Sequence, residues 1–186
     1  MAFIETGFPG LLVFEPVIFD DSRGWFYEAY NQKLFSGAGI ETQFVQDNQS
    51  RSTYGVIRGL HYQVPPYAQT KLVRVLAGAI LDVVVDIRKG SPTFGKVYSL
   101  ELSADNKKQL FIPAGFAHGF SVISEVAEVM YKCDQFYHKA SEYGILYNDA
   151  ALKIDWQIPL AQAIISDKDL VLPVFANCVN PFEFNR

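Results

Sequence analysis

The sequence predicts a mainly β domain, a sandwich or barrel of many short strands, with short helices and a C-terminal tail of loops and helical turns. Two observations predict it. Short apolar runs recur along the chain, separated by turn residues. Aromatic residues make up 15% of the sequence, with 15 Phe and 10 Tyr, and they favour pleated, half-buried surfaces. The chain of 186 residues suits one domain, 1–186, and its 49% hydrophobic content can fill a core.

Each element follows from its local pattern. Leu11 to Phe14 is an apolar run ended by Pro16. Phe19 to Gly24 reads as a turn, and Trp25 to Tyr30 as an aromatic strand. Asn31 to Gly39 predicts a short helix, capped by Asn31 and ended by Gly37 or Gly39. Strand character resumes from Phe44 to Asn48. Leu72 to Leu76 and Ile80 to Ile87 flank Gly78, which predicts a tight turn. The second of these runs alternates only partly, as in a strand buried on both faces. Lys96 to Leu102 alternates, and Ser103 to Asn106 turns. Gln109 to Ile112, Ala117 to Ile123 and Glu128 to Asp134 complete the strands. Beyond Tyr137 the pattern loosens. Asp149 to Leu152 reads as a helical turn, and the chain from Asp155 onward as loops and short helices packed on the barrel.

Charge narrows the functions. The net charge of −4 does not favour generic binding to nucleic acid or an anionic membrane, while a local cationic pocket for a small anion stays open. The longest apolar stretch, around Leu72 to Ile87, is broken by Arg74, Asp82 and Asp86, so it predicts no membrane span. The first residues carry no basic segment followed by an apolar run, so no signal peptide is indicated. Cys133 and Cys178 form no CxxC pair and no disulfide framework, which fits a reducing, cytoplasmic setting. No phosphate-binding loop, dinucleotide fingerprint or nucleophile elbow is present.

Chemistry centres on three histidines, His61, His118 and His138. His61 lies in Val-Ile-Arg-Gly-Leu-His-Tyr, with an arginine and a glycine just before the strand. His118 follows the turn Ile-Pro-Ala-Gly-Phe-Ala. Both settings can aim a side chain into a barrel mouth, where small-ligand sites are common. The stretch Phe111 to Phe120 resembles the second signature of the cupin β-barrels, which implies a jelly roll. Where many cupins carry His-x-His, this chain has only His61, followed by Tyr62 and Gln63. Two histidines without further ligands make a weak transition-metal site, so no metal and no other cofactor is expected.

Within the cupins, the sequence resembles the dTDP-4-dehydrorhamnose 3,5-epimerase family over nearly its whole length. Ordered blocks carry the resemblance, among them Asp21-Ser-Arg-Gly-Trp-Phe-Tyr-Glu28, Phe44-Val-Gln-Asp-Asn48, Ile57-Arg-Gly-Leu-His61-Tyr-Gln, Lys71-Leu-Val-Arg74, Leu110 to Gly119, Val129-Met-Tyr-Lys132 and Ser166-Asp-Lys-Asp169. The resemblance implies inversion of C3 and C5 of a 4-keto sugar on a nucleoside diphosphate, without metal. Such a reaction needs a base, a stabiliser for the enolate oxygen and an acid on the opposite face of the ring.

By this resemblance His61 is the base, oriented by Asp169, with Asp167 close enough in sequence to be its rival. Lys71 is the enolate stabiliser, helped by His118, and Tyr131 the acid. For the nucleotide, Arg58, Arg23 and Lys168 match the diphosphate-binding positions. Glu28, Gln46, Asn48 and Glu142 match hydrogen-bonding positions, and Phe26 and Tyr137 suit stacking. For each of these an ordinary surface or packing role is the alternative. The family also implies a homodimer in which the Asp21–Glu28 block is contributed by the neighbour. Three other readings stay open: a single-centre epimerase or ketoisomerase, a non-catalytic cupin that binds a sugar nucleotide, and a metal-dependent cupin.

Overall fold

A computed structural model describes residues 2–184. The N-terminal part contains β1 (Ala2–Glu5), β2 (Leu12–Glu15), β3 (Phe19–Asp21), β4 (Gly24–Phe26) and helix α1 (Gln32–Gly37). The body follows with β5 (Gln46–Thr53), β6 (Ile57–Gln63), β7 (Lys71–Ala77), β8 (Ala79–Asp86) and β9 (Val97–Ser103). It closes with β10 (Gln109–Ile112), β11 (Phe116–Val122), β12 (Val126–Cys133), β13 (Glu142–Gly144) and the short helix α2 (Asp167–Leu170). Two antiparallel sheets face one another. One is ordered β1-β2-β10-β7-β12-β5 and the other β13-β6-β11-β8-β9. This is a jelly-roll arrangement, as the strand pattern predicts.

Period-two alternation decides what each sheet buries. Val73 and Val75 of β7, Leu110 and Ile112 of β10, and Val129 of β12 point inward from the first sheet. They meet Ile80 and Val84 of β8 and Phe116 and Phe120 of β11 in the central core. The outer face of the first sheet is also covered: Phe14, Leu72 and Phe111 pack against Phe35 of α1 and Ile40 just beyond it. The outer face of the second sheet presents Leu81, Val83 and Val85, which pack against Ile145, Trp156 and Ile158 of the C-terminal chain. Strand β8 is therefore buried on both faces, which explains its incomplete alternation. Among the described residues no helix is long and apolar enough to cross a membrane.

Several boundaries depart from the sequence expectations. The segment Phe19 to Phe26 is a hairpin of β3 and β4, not a turn followed by a strand, and residues 27–30 lie outside any strand. Here the aromatic content reflects exposed rings, with Phe19, Trp25 and Phe26 all more than half exposed. Strand β5 runs on to Thr53, and Arg58 and Gly59 lie within β6. Asp149 to Leu152 is the hydrogen-bonded turn expected, with the Leu152 and Lys153 N–H groups both donating to the Asp149 carbonyl. Asn31 does cap α1, accepting from the backbone N–H groups of Lys33 and Leu34.

Candidate active site

A cavity of about 620 Å³ opens between the two sheets, within the size range of small-molecule sites. Strand β5 lines one wall with an alternation that is polar on both faces. Gln46, Asn48, Ser50 and Ser52 are the more buried set, while Asp47, Gln49, Arg51 and Thr53 face solvent. Strand β6 forms the opposite wall. It would run straight but for Gly59, whose backbone sits at φ +114°. A Cβ there would come within 2.6 Å of the Gly119 Cα and of the His118 carbonyl oxygen. Only glycine permits this close approach. The register of β6 against β11 shifts at this point, so Arg58 lies opposite Phe120 while His61 lies opposite His118. Arg58 and His61 thus both reach the cavity despite an odd spacing.

His61 lines the cavity with its Nε2 2.6 Å from Asp169 Oδ1. The other carboxylate oxygen of Asp169 accepts from the Gly59 backbone N–H at 3.4 Å. Burial acts to raise the Asp169 carboxyl, but His61, Gly59 and Ser166 together hold it below the usual carboxylate range. An ionised carboxylate fixes the proton on Nε2 and leaves the lone pair of the neutral ring on Nδ1. Ser166 caps α2 and accepts from the Asp169 backbone N–H, which sets the helix that delivers this carboxylate. Asp169 is buried and Asp167 exposed, so the pairing between them is resolved in favour of Asp169.

Tyr131 and Lys71 come from the facing sheet. Lys71 Nζ lies 5.8 Å from the centre of the Tyr131 ring. Burial pushes the Tyr131 phenol above its ordinary value, so it keeps its proton at neutral pH. Burial pushes the Lys71 ammonium down, and Cys133, Asp82 and Glu142 oppose that shift. Burial lifts the Cys133 thiol to about 11, against the lowering effect of Lys71 and Asn48. His118 closes the floor, with Nε2 2.9 Å from Asp82 Oδ2.

The rim carries Glu142, which accepts from Lys168 Nζ at 3.0 Å through both oxygens and from the Tyr137 hydroxyl at 3.1 Å. Burial raises the Glu142 carboxyl, but Lys168, His61 and Tyr137 outweigh it and hold the group low. Gln46 and Tyr137 line a smaller recess that adjoins the cavity and shares Asn48, His61, Lys71, Tyr131 and Glu142 with it.

The comparisons with known proteins point one way. A family model described as dTDP-4-dehydrorhamnose 3,5-epimerase matches residues 5–177. This chain belongs to the dTDP-4-dehydrorhamnose 3,5-epimerase family. It is 55% identical over 171 residues to the dTDP-4-dehydrorhamnose 3,5-epimerase of Shigella flexneri, covering 91% of this chain and 93% of the relative. Among solved structures, the dTDP-4-dehydrorhamnose 3,5-epimerase of Elizabethkingia anophelis is 50% identical. It superposes with a TM-score of 0.91 over 95% of this chain and 97% of its own. The dTDP-6-deoxy-D-glucose-3,5-epimerase of Legionella pneumophila, solved with dTDP-4-keto-L-rhamnose, is 48% identical. Its TM-score is 0.90, covering 95% of this chain and 93% of its own. The jelly roll described above is therefore the cupin-type barrel of these epimerases.

Against this family background, the candidate residues divide by place. Asn48, Arg58, His61, Lys71, His118, Tyr131, Glu142, Lys168 and Asp169 all line the one cavity. Arg23 and Phe26 do not: they sit on the β3–β4 hairpin beside a separate surface depression, where Arg23 pairs with Asp21 at 2.6 Å. Glu28 is also outside the cavity and accepts from Asn31 Nδ2. Among the described residues no three His, Cys, Asp or Glu side chains gather as a metal-binding group. Some contributors had no expected role in the sequence reading. Ser52 accepts from Arg58 Nε, and Gln63 donates to the carbonyls of Tyr67 and Phe136 and so ties together two rim loops. Asp82 carries a signal in the sequence as a charge inside an apolar run.

Proposed function

We propose that the chain inverts C3 and C5 of dTDP-4-dehydro-6-deoxy-D-glucose, giving dTDP-4-dehydro-L-rhamnose. One observation carries this reading. A carboxylate-held histidine and a protonated, half-buried tyrosine lie on the two facing sheets of one cavity, with a lysine beside the tyrosine. His61 Nδ1 takes the proton next to the C4 ketone, and Asp169 stabilises the imidazolium that forms. Lys71, assisted by His118, offsets the charge that grows on the C4 oxygen. Tyr131 returns a proton from the other side of the ring, and transfer across the two faces inverts the centre. Two such proton transfers need neither metal nor organic cofactor.

Arg58 and Lys168 supply cationic donors for the diphosphate. Gln46, Asn48 and Glu142 supply hydrogen bonds, and Tyr137 a stacking surface. We assign Arg23, Phe26 and Glu28 to the cavity of a second copy. Their hairpin is exposed and its apolar rings have little cover in a single chain. A homodimer would bury Phe19 and Phe26 and complete both sites. Residues 1–186 are read as one domain, and the free thiols of Cys133 and Cys178 favour the cytoplasm as its compartment.

Proton NMR of dTDP-4-dehydro-6-deoxy-D-glucose with the protein in deuterated water tests the reading. Solvent deuterium is expected at both C3 and C5, with formation of the L-rhamno product. Exchange at one centre only would assign a single-centre epimerase, and no exchange a binding protein.

A further inference from the structure

Strand β8 buries two carboxylates, and they differ in how they are satisfied. Asp86 accepts from the Arg88 guanidinium at 2.8 and 2.9 Å, from Ser91 Oγ at 2.6 Å and from Thr93 Oγ1 at 2.7 Å. Its role is to hold the turn that follows β8. Asp82 is just as completely buried, yet its side chain has one partner, the His118 imidazole. Its Oδ1 is the one buried side-chain polar atom without a hydrogen bond among the described residues. Leaving such an atom unpartnered costs about 1–3 kcal/mol, so a half-satisfied carboxylate in an apolar strand calls for an explanation.

The position supplies one. Asp82 alternates with Ile80 and Val84, both in the central core, so it faces the interior of the barrel and not the C-terminal chain. His118 lies opposite Val84 on β11, which makes Asp82 its diagonal cross-strand neighbour. The Asp82–His118 pair thus forms under the cavity floor. It is a second carboxylate–histidine pair in the same site as His61 and Asp169.

We propose that Asp82 is a positioning residue for the enolate-stabilising half of the site, holding the His118 ring in place through the 2.9 Å contact beneath the cavity floor. The proposal rests on the epimerase reading above.

The test is Asp82→Asn, which keeps the shape and removes the charge, assayed beside the wild-type enzyme. Wild-type turnover in that assay checks the epimerase reading separately. The proposal expects kcat to fall on the order of 10²-fold with KM within about twofold. An unchanged kcat, or a loss confined to KM or to thermal stability, would overturn it. A second measurement needs no variant: nitrogen-15 NMR of histidine in the wild-type protein should show the neutral His118 ring with its proton on Nε2. A proton on Nδ1 would contradict the claim that Asp82 holds the ring.

Discussion

His61 gains its proposed role from what surrounds it. A lone histidine has no preferred tautomer, and the buried Asp169 carboxylate 2.6 Å away supplies one. His61→Ala should abolish exchange of the C3 and C5 protons with deuterated solvent, read by NMR of the substrate. Normal exchange in that variant would remove His61 as the base. Asp169→Asn should keep the hydrogen-bonding shape yet lower kcat on the order of 10²- to 10⁴-fold, because an amide favours the wrong tautomer and leaves the imidazolium without its counter-charge. Steady-state kinetics within about threefold of wild type would show that the pairing is structural only. His61 was legible in the sequence because the second histidine of a metal signature is missing after it. Asp169 against Asp167 was not legible: both are acids in one short helix, and only the cap at Ser166 turns one inward.

At the scale of elements, β5 and β6 show where pattern reading stops. Strand β5 carries no apolar alternation past Val45, since its inner face meets the polar cavity and its outer face meets water. A strand with two polar faces has no periodic signal to read. Strand β6 hides its register shift in Gly59, where a Cβ would strike the backbone of β11. Gly59→Ala should therefore destabilise the protein by about 3 kcal/mol, a loss of roughly 10 °C in Tm, and disrupt the Arg58–His61 geometry. Calorimetry and kcat measured together would check this, and a variant with wild-type Tm and activity would show that the strand tolerates a straight path. By contrast β7, β8 and β10 to β12 were read nearly to the residue. They form the apolar core, where burial and sequence pattern are the same fact.

The whole molecule adds what a single chain lacks. Arg23, Phe26 and Glu28 were grouped with the site through family resemblance alone, and in one chain they lie outside the cavity. If a second copy supplies them, each site draws on two chains. Refolding a mixture of His61→Ala and Arg23→Ala proteins should then restore activity, to about a quarter of wild type for random dimers. A mixture as inactive as its parents would place all functional residues of a site within one chain. The central claim also belongs to this scale, because it needs both sheets: protons leave and return on opposite faces of one sugar ring. Substituting Tyr131→Phe removes the acid from one sheet and leaves His61 on the other. Proton NMR of this variant with dTDP-4-dehydro-6-deoxy-D-glucose in deuterated water tests the claim most directly. Solvent exchange that continues while inversion is lost is the predicted result, and inversion of both centres at the wild-type rate would contradict it.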